Sequence, residues 1–223
     1  EELKHMRDRH LYKIQKFPPQ RLAEKLKIQN YSDEKNISLY ISKQDEEYIN
    51  KILIELGIGD KEKIVIVSCG ARSHIKRWPQ DQFIELVSNL LEEFKLRVIL
   101  VGDKSDISIA RYIAQHTRYP LTDLTGKTSI TQLACLLNKA SCIITNDSAV
   151  LHIASYLNTP LVAIFGPTNE LKYGPWSEIK AVVKKDIFCR PCEKAQCKYG
   201  TVQCMQLVKV EDVFRGVRKI LVT

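Results

Sequence analysis

The chain of 223 residues has no apolar run that approaches the roughly 18 residues needed to cross a membrane. Its charged start, Glu1-Glu2-Leu3-Lys4-His5, lacks the apolar centre of a secretory signal peptide. Internal repeats and low-complexity segments are also absent from the sequence. We therefore expect a soluble, globular, cytoplasmic protein in which disulfides are not formed. Because residue 1 is not methionine, we expect a fragment of a longer protein.

The composition supplies a sizeable core and an excess of positive charge. Apolar residues make up 44% of the chain, and 34 Lys and Arg against 26 Asp and Glu give a net charge of +8. This charge suits an anionic partner such as nucleic acid, phospholipid or nucleotide. Basic residues are densest at positions 180, 184, 185, 190, 194 and 198, without the interleaved aromatic residues that single-strand binders use for stacking. We expect a solvated basic face and no nucleic-acid partner.

Residues 1–60 differ in pattern from the rest and are predicted to form a helical interdomain or linker segment. Helical pieces fit residues 7–16 and 20–27, separated by Pro18 and Pro19. A clearer helix starts at about Gln44, with Ser42 as a possible cap and Gly57 as its end. Its apolar stripe has no obvious partner in the sequence.

Residues 61–223 alternate between apolar strands and amphipathic helices. Strands are predicted over 63–68, 97–101, 142–145 and 161–165, and helices over 80–94, 105–116, 129–138, 148–157 and 210–221. The strands are continuous apolar runs, as strands of a parallel sheet covered on both faces require. This predicts an α/β fold with a Rossmann-like, doubly wound parallel sheet.

Three polar loops lie between these predicted strands and helices. The tract 145–152 takes the chain from a strand directly into a helix, which leaves backbone N–H groups free to bind a phosphate or diphosphate. The alternative is an ordinary helix cap at Asp147 or Ser148. The loops 69–79 and 124–129 are predicted to reach the same edge of the sheet. In open parallel sheets that edge holds the ligand.

The loop 124–129 also contains Gly126-Lys127-Thr128, which mimics the end of a Walker A loop. The glycine required five positions before Gly126 is replaced by Leu121, so a P-loop nucleoside triphosphatase is excluded. Ser129 and Gln132 have the spacing of a helix capping box, which offers a structural explanation for part of the motif.

Together, the segments 76–79 (Lys-Arg-Trp-Pro), 124–129, 145–148 with His152, and 165–168 (Phe-Gly-Pro-Thr) resemble the carboxyl-terminal domain of glycosyltransferase family 9, the bacterial lipopolysaccharide heptosyltransferases. The resemblance implies one half of a GT-B type glycosyltransferase that is inverting and independent of metal. It implies ADP-heptose as the nucleotide-sugar donor, and lipopolysaccharide inner core or another lipid-linked glycan as the acceptor. It also fits a peripheral position on the inner membrane. The general base would lie in an amino-terminal domain, so this chain alone would bind donor without turnover.

The resemblance also assigns roles to residues of this sequence. Lys76 would face the donor's phosphate and sugar, and Asp147 would accept hydrogen bonds from sugar hydroxyls. The further donor-binding residues would be Arg72, Gly126, Lys127, Thr128, Ser148, Ala149 and His152, with Asp103 or Asp106 near the ribose. The family usually has glycine where this chain has Ala149. A packing role is the alternative for His152.

Cys189, Cys192, Cys197 and Cys204 form the pattern C-x2-C-x4-C-x6-C in a basic, turn-rich stretch. Four thiolates can hold a structural zinc, but the second pair lacks the C-x2-C spacing and no histidine accompanies it. Inert or redox-labile thiols are the alternative. A second functional hypothesis follows from this cluster, namely a basic, zinc-containing nucleic-acid-binding module. A transferase with another nucleotide-sugar donor is the third.

Overall fold

The computed structural model describes residues 41–59 and 61–222, and its centre is a six-stranded parallel sheet. The strands are β1 (Lys63–Ser68), β2 (Leu96–Leu100), β3 (Thr122–Asp123), β4 (Cys142–Asn146), β5 (Leu161–Phe165) and β6 (Lys180–Lys184). They lie in the order β3-β2-β1-β4-β5-β6, with every neighbouring pair parallel. The order reverses between β1 and β4, so this is the point at which a doubly wound sheet opens a crevice for a ligand.

Helices cover both faces of the sheet. They are α1 (Lys43–Glu55), α2 (Gln80–Glu93), α3 (Ile107–His116), α4 (Ile130–Asn138), α5 (Ala149–Tyr156), α6 (Glu170–Tyr173), α7 (Gln203–Gln206) and α8 (Val210–Val222). One core lies between the sheet and α2, α3 and α8, and a second lies between the sheet and α1, α4 and α5. The predicted Rossmann-like, doubly wound α/β fold is confirmed.

The predicted strands and long helices agree with the structure to within about two residues at their ends, the ordinary uncertainty of helix and strand boundaries. The sequence did not reveal β3, which has only two residues, or β6. The strand β6 lies at the edge of the sheet, and Val183 is its only buried residue, so it lacks the apolar run of the inner strands.

Helix α1 shows what the apolar stripe near the amino terminus packs against. Its Ile49 and Leu53 are buried in the core that α1 shares with α4 and the sheet. Ser42 caps the helix by accepting a hydrogen bond from the Asp45 amide at 3.1 Å, and Gly57 follows it with φ +64°. The stripe therefore has its partner within this chain. The helical pieces predicted for 7–16 and 20–27 lie outside the described residues.

The basic segment 180–198 differs from the solvated face that we expected. Lys184 contacts Glu170 at 2.6 Å, Lys185 contacts Asp212 at 2.7 Å, and the Arg190 side chain is only 2% exposed. Only Lys180, Lys194 and Lys198 of the set are exposed. Half of the six basic residues are therefore paired with acidic residues of the fold. Within residues 41–59 and 61–222, no helix has the length and apolarity of a membrane span.

Candidate functional site

The loops that follow β1 and β4 leave the sheet side by side. Ser68, the last residue of β1, is in register with Thr145 near the end of β4. The loop after β1 contains a 3-10 turn at His74–Lys76, and the loop after β4 leads at once into α5. Two of the three predicted polar loops therefore meet at the β1–β4 switch point.

An ion pair joins these two loops. The Lys76 Nζ atom lies 2.7 Å from Asp147 Oδ2, and the Thr168 hydroxyl donates to the same oxygen at 2.8 Å. The Asp147 side chain is 5% exposed, whereas Lys76 is 28% exposed, so the cation borders the crevice and the carboxylate lies beneath it. Asp147 is thus bound to residues of two other loops and does not serve simply as a helix cap. The arrangement presents a positive charge beside a fixed hydrogen-bond acceptor.

Asn146 is a structurally important residue that the sequence analysis did not single out. Its side chain is fully buried, accepts from the Trp78 amide at 3.1 Å, and donates to the carbonyl oxygens of Cys69 at 2.9 Å and Gly70 at 3.2 Å. It therefore binds the loop after β1 at both ends. An asparagine at the end of an apolar strand was the available signal, because a buried amide needs partners from a neighbouring segment. Trp78 itself is buried in the core.

The amino terminus of α5 has no side-chain cap. Ser148 occupies the cap position with extended backbone, but its hydroxyl lies 3.0 Å from that of Thr145. Ala149 is exposed at the first helical position. The helix can therefore offer its positive end to an anion. His152 lies one turn further and stacks on Trp176 with ring centroids 5.9 Å apart, which fits the packing alternative.

The loop 124–129 adjoins the loop that follows β2. Gly126 has φ +72° and donates its amide to the carbonyl of Gly102 at 2.9 Å. Lys127 is exposed and donates to the carbonyl of Asp123 at 2.7 Å. Thr128 is half-buried, and Ser129 and Gln132 form the capping box. The capping box thus gives a structural explanation for the end of the motif. The left-handed backbone of Gly126 explains the turn that precedes it.

Two buried polar atoms in this region have no hydrogen-bond partner, namely Asp106 Oδ1 and Thr125 Oγ1. Both side chains flank Gly102, where an added Cβ would lie 2.9 Å from Asp106 Oδ2 and 3.2 Å from Thr125 Cγ2. Burial, reinforced by the charge of Asp103, raises the pKa of Asp106. Arg77 is the nearest cation, with Nη2 3.7 Å from Asp106 Oδ1. Arg72 is exposed on the loop after β1.

The four cysteines of the carboxyl-terminal segment line one cavity of about 340 Å³, together with Ile75 and Pro167 from the neighbouring loops. The amides of Val202 and Tyr199 are the main donors to the Cys197 sulfur and lower the pKa of its thiol. Burial raises the pKa of Cys204, and the adjacent cysteines raise it further. Within the described ranges, no three His, Cys, Asp or Glu side chains adopt the arrangement of a metal site. The other three cysteines, Cys69, Cys135 and Cys142, are buried.

Comparison with known proteins identifies the relatives of this chain. The sequence model of glycosyltransferase family 9 (heptosyltransferase) matches residues 18–203. Lipooligosaccharide heptosyltransferase 2 of Campylobacter jejuni is 27% identical over 179 residues, which cover 78% of this chain and 55% of the relative. The chain thus spans about half the length of that relative.

Solved structures of similar fold agree with this result. The E. coli ADP-heptose lipopolysaccharide heptosyltransferase II has a TM-score of 0.67 and 24% identity, over 83% of this chain and 53% of that protein. TibC of enterotoxigenic E. coli, an iron-containing dodecameric glycosyltransferase, has a TM-score of 0.58 and 19% identity, over 73% of this chain and 47% of TibC.

Proposed function

The chain belongs to glycosyltransferase family 9 (heptosyltransferase), and from this premise we propose that it is the donor-binding half of an inverting, metal-independent transferase. The donor would be ADP-heptose, and the acceptor the inner core of lipopolysaccharide or another lipid-linked glycan. The observation that carries the proposal is the contact between Lys76 and Asp147 at the β1–β4 switch point.

Each group at the switch point has a task in this reaction. As the acceptor hydroxyl attacks the anomeric carbon, the bond from that carbon to the diphosphate oxygen breaks and negative charge grows on the departing ADP. Lys76 and the amino terminus of α5 would stabilise that charge. Asp147, held by Thr168 and Lys76, would accept hydrogen bonds from heptose hydroxyls and hold the sugar in place.

The nucleoside would lie beside the loops after β2 and β3. We propose that the exposed Asp103, or Asp106 three residues further along the same loop, hydrogen-bonds ribose hydroxyls. Gly126, Lys127 and Thr128 would border the base and ribose. The proposed donor site also includes Arg72, Ser148, Ala149 and His152. Of these, Arg72 and Ala149 are exposed on the protein and Ser148 is half-buried.

We propose that the acceptor site lies in the part of the relatives that this chain does not cover. The aligned residues account for 55% of the Campylobacter heptosyltransferase. We propose that the remaining part supplies the acceptor site and the carboxylate that deprotonates the attacking hydroxyl. The complete enzyme would work in the cytoplasm, at the surface of the inner membrane.

A structural zinc at the four cysteines is a separate hypothesis. The thiols line one cavity, but within the described residues they do not adopt a metal-site arrangement. Elemental analysis of the purified chain tests this point. One equivalent of zinc or iron that is lost with the four cysteines would establish a metal, and its absence would leave free thiols.

Calorimetric titration of the chain with ADP-heptose, ADP, UDP and GDP, with and without chelator, tests the proposed function. We expect binding that prefers the adenine nucleotides, is unchanged by chelator, and weakens about tenfold in Lys76→Ala and Asp147→Ala, as loss of a charged hydrogen bond predicts. Lys95→Ala is the matched control, because this exposed lysine precedes β2 and therefore lies at the amino-terminal ends of the strands, away from the crevice. A folded chain that binds none of the four ligands would contradict the proposal. Binding that prefers UDP or GDP would indicate another donor.

A further inference from the structure

The loop after β5 is fastened to the cysteine-bearing segment through three consecutive carbonyl groups. Arg190 donates its Nε to the Gly166 carbonyl and its Nη2 to the Thr168 carbonyl at 3.1 Å. The amides of Cys192 and Glu193 donate to the carbonyl between them, that of Pro167, at 3.0 and 2.9 Å. The backbone of 166–168 is thus fixed from one side by residues 190–193.

Arg190 is suited to this task by its burial and its charge partner. Its side chain is 2% exposed, and Nη2 also contacts Glu170 Oε2 at 2.8 Å. Glu170 is the first residue of α6, which follows the loop, and Lys184 lies 2.6 Å from its other oxygen. Burying a guanidinium is costly unless its N–H groups find partners. Here the two carbonyls and the Glu170 carboxylate bind Nε and Nη2, and Asp186 Oδ1 lies 3.5 Å from Nη1.

The same loop carries the hydroxyl that fixes Asp147. Thr168 accepts from Arg190 through its carbonyl and donates to Asp147 Oδ2 through its hydroxyl at 2.8 Å. A shift of the Thr168 backbone would therefore displace the hydroxyl group that hydrogen-bonds the Asp147 carboxylate. Asp147 also contacts Lys76, so the path from Arg190 to the crevice consists of hydrogen bonds between named atoms.

We infer that Arg190 is a positioning residue of the donor site, which holds the loop 166–168 so that Thr168 keeps the Asp147 carboxylate oriented toward the sugar. This inference rests on the proposed function. It makes the cysteine-bearing segment 189–204 a support of the donor site and not a separate module. Neither the family pattern 165–168 nor the cysteine pattern assigns any role to Arg190.

Two conservative substitutions separate positioning from general stability. Arg190→Lys keeps the charge near Glu170, but an ammonium group lacks the planar fork that reaches the Gly166 and Thr168 carbonyls together. Thr168→Val removes the hydroxyl that binds Asp147 at nearly constant volume, and Thr168→Ser restores it. Val217→Ala, on the core-facing side of α8, serves as a control for loss of stability at a position outside residues 166–168 and 190–193.

The experiment measures the Kd for ADP-heptose and for ADP in these variants, alone and combined with Asp147→Ala. We expect Arg190→Lys and Thr168→Val each to raise the Kd for ADP-heptose about tenfold, the size typical of residues coupled in one hydrogen-bond network. The Kd for ADP, which lacks the sugar, should rise less. Neither change should weaken binding further once Asp147 is alanine, and Thr168→Ser should restore affinity.

Three outcomes would overturn the inference. They are unchanged affinity in Arg190→Lys, an effect that adds fully to that of Asp147→Ala, and an equal loss of affinity in Val217→Ala. If Arg190→Lys does not fold, Thr168→Val and Thr168→Ser decide the link between the loop and Asp147. Failure of the proposed function is distinguishable from failure of this inference, because it appears as a lack of ADP-heptose binding by the unmodified chain. In that case the inference would fail as well.

Discussion

The side-chain oxygen of Asn146 accepts a hydrogen bond from the backbone amide of Trp78 at 3.1 Å, which joins the end of β4 to the loop that follows β1. The amide nitrogen of the same side chain donates to the Cys69 and Gly70 carbonyls at the start of that loop. The loop that carries Lys76 is therefore held at both ends by one buried side chain.

We expect Asn146→Ala to lower the free energy of unfolding by roughly 2–4 kcal/mol, since it removes buried hydrogen bonds and leaves two carbonyls and an amide without partners. Urea denaturation followed by circular dichroism measures the change. Asn138→Ala, at the exposed end of α4, should change the free energy by less than about 0.5 kcal/mol. Equal effects of the two substitutions would show that Asn146 does not fasten the loop.

A second prediction concerns the close approach of Gly70 and Asp106. A Cβ placed on Gly70 would lie 2.0 Å from Asp106 Cγ, so an alanine there must displace the buried carboxylate. We expect Gly70→Ala to cost about 1–3 kcal/mol in unfolding free energy, as overpacking of a tight site does. Gly59→Ala is the control, because nothing lies within 4 Å of its added Cβ. A neutral Gly70→Ala would contradict the packing of these two loops.

The contrast between Lys76 and Arg190 shows what could be predicted from the sequence. The place of Lys76 follows from local rules, because a loop after a buried parallel strand must emerge at the ligand edge. The alternation of apolar strands with amphipathic helices is also a local pattern, and it predicts the fold. The role of Arg190 depends on a contact with Gly166 and Thr168, more than twenty positions earlier in the chain. Composition alone placed it on a solvated face, and only the tertiary structure shows that it is buried.

Asn146 and α1 show the same limit. The apolar stripe of α1 was evident, but its partner α4 lies about eighty residues later in the sequence. Asn146 was visible within the strand-to-helix tract, yet its partners lie on the loop after β1. Periodicity reports which face of an element is buried. It does not report which segment covers that face.

The environment of Glu170 predicts a dependence of stability on pH. Burial alone would raise its pKa, but hydrogen bonds from Lys184, its own backbone and Arg190 outweigh burial and lower the pKa to about 2, from an ordinary value of 4.5. Because the folded pKa is depressed, the ionised carboxylate stabilises the fold. This contribution is complete above pH 4.5 and is lost as the pH falls toward 2.

We therefore expect Glu170→Gln to be less stable than the unmodified chain by roughly 1–3 kcal/mol at pH 7, the cost of leaving a buried charge without its partner. The difference should shrink steadily between pH 4.5 and pH 2.5. Thermal unfolding across this range measures it, with the exposed Glu178→Gln as control. A difference that is constant with pH would show that the carboxylate charge contributes nothing.

The last prediction concerns the reactivity of the cysteines. The amides of Val202 and Tyr199, followed by those of Gly200 and Thr201, donate to the Cys197 sulfur and lower the pKa of this thiol. Burial raises the pKa of Cys142 to about 12 and keeps that thiol neutral. The thiolate is the reactive species, so Cys197 should react with iodoacetamide at pH 7.5 at least about tenfold faster than Cys142. Mass spectrometry of tryptic peptides measures both rates.

Alkylation with and without a chelator shows whether the thiols at 189, 192, 197 and 204 are free or bound to a metal. If the thiols are free, Cys197 reacts equally fast with and without chelator, and Cys197→Ser removes the fast phase. If a metal holds the sulfurs, alkylation becomes fast only after chelator removes it, because a coordinated thiolate is withheld from the reagent. A Cys197 that stays as slow as Cys142 in the presence of chelator would contradict the assignment of a low pKa to its amide donors.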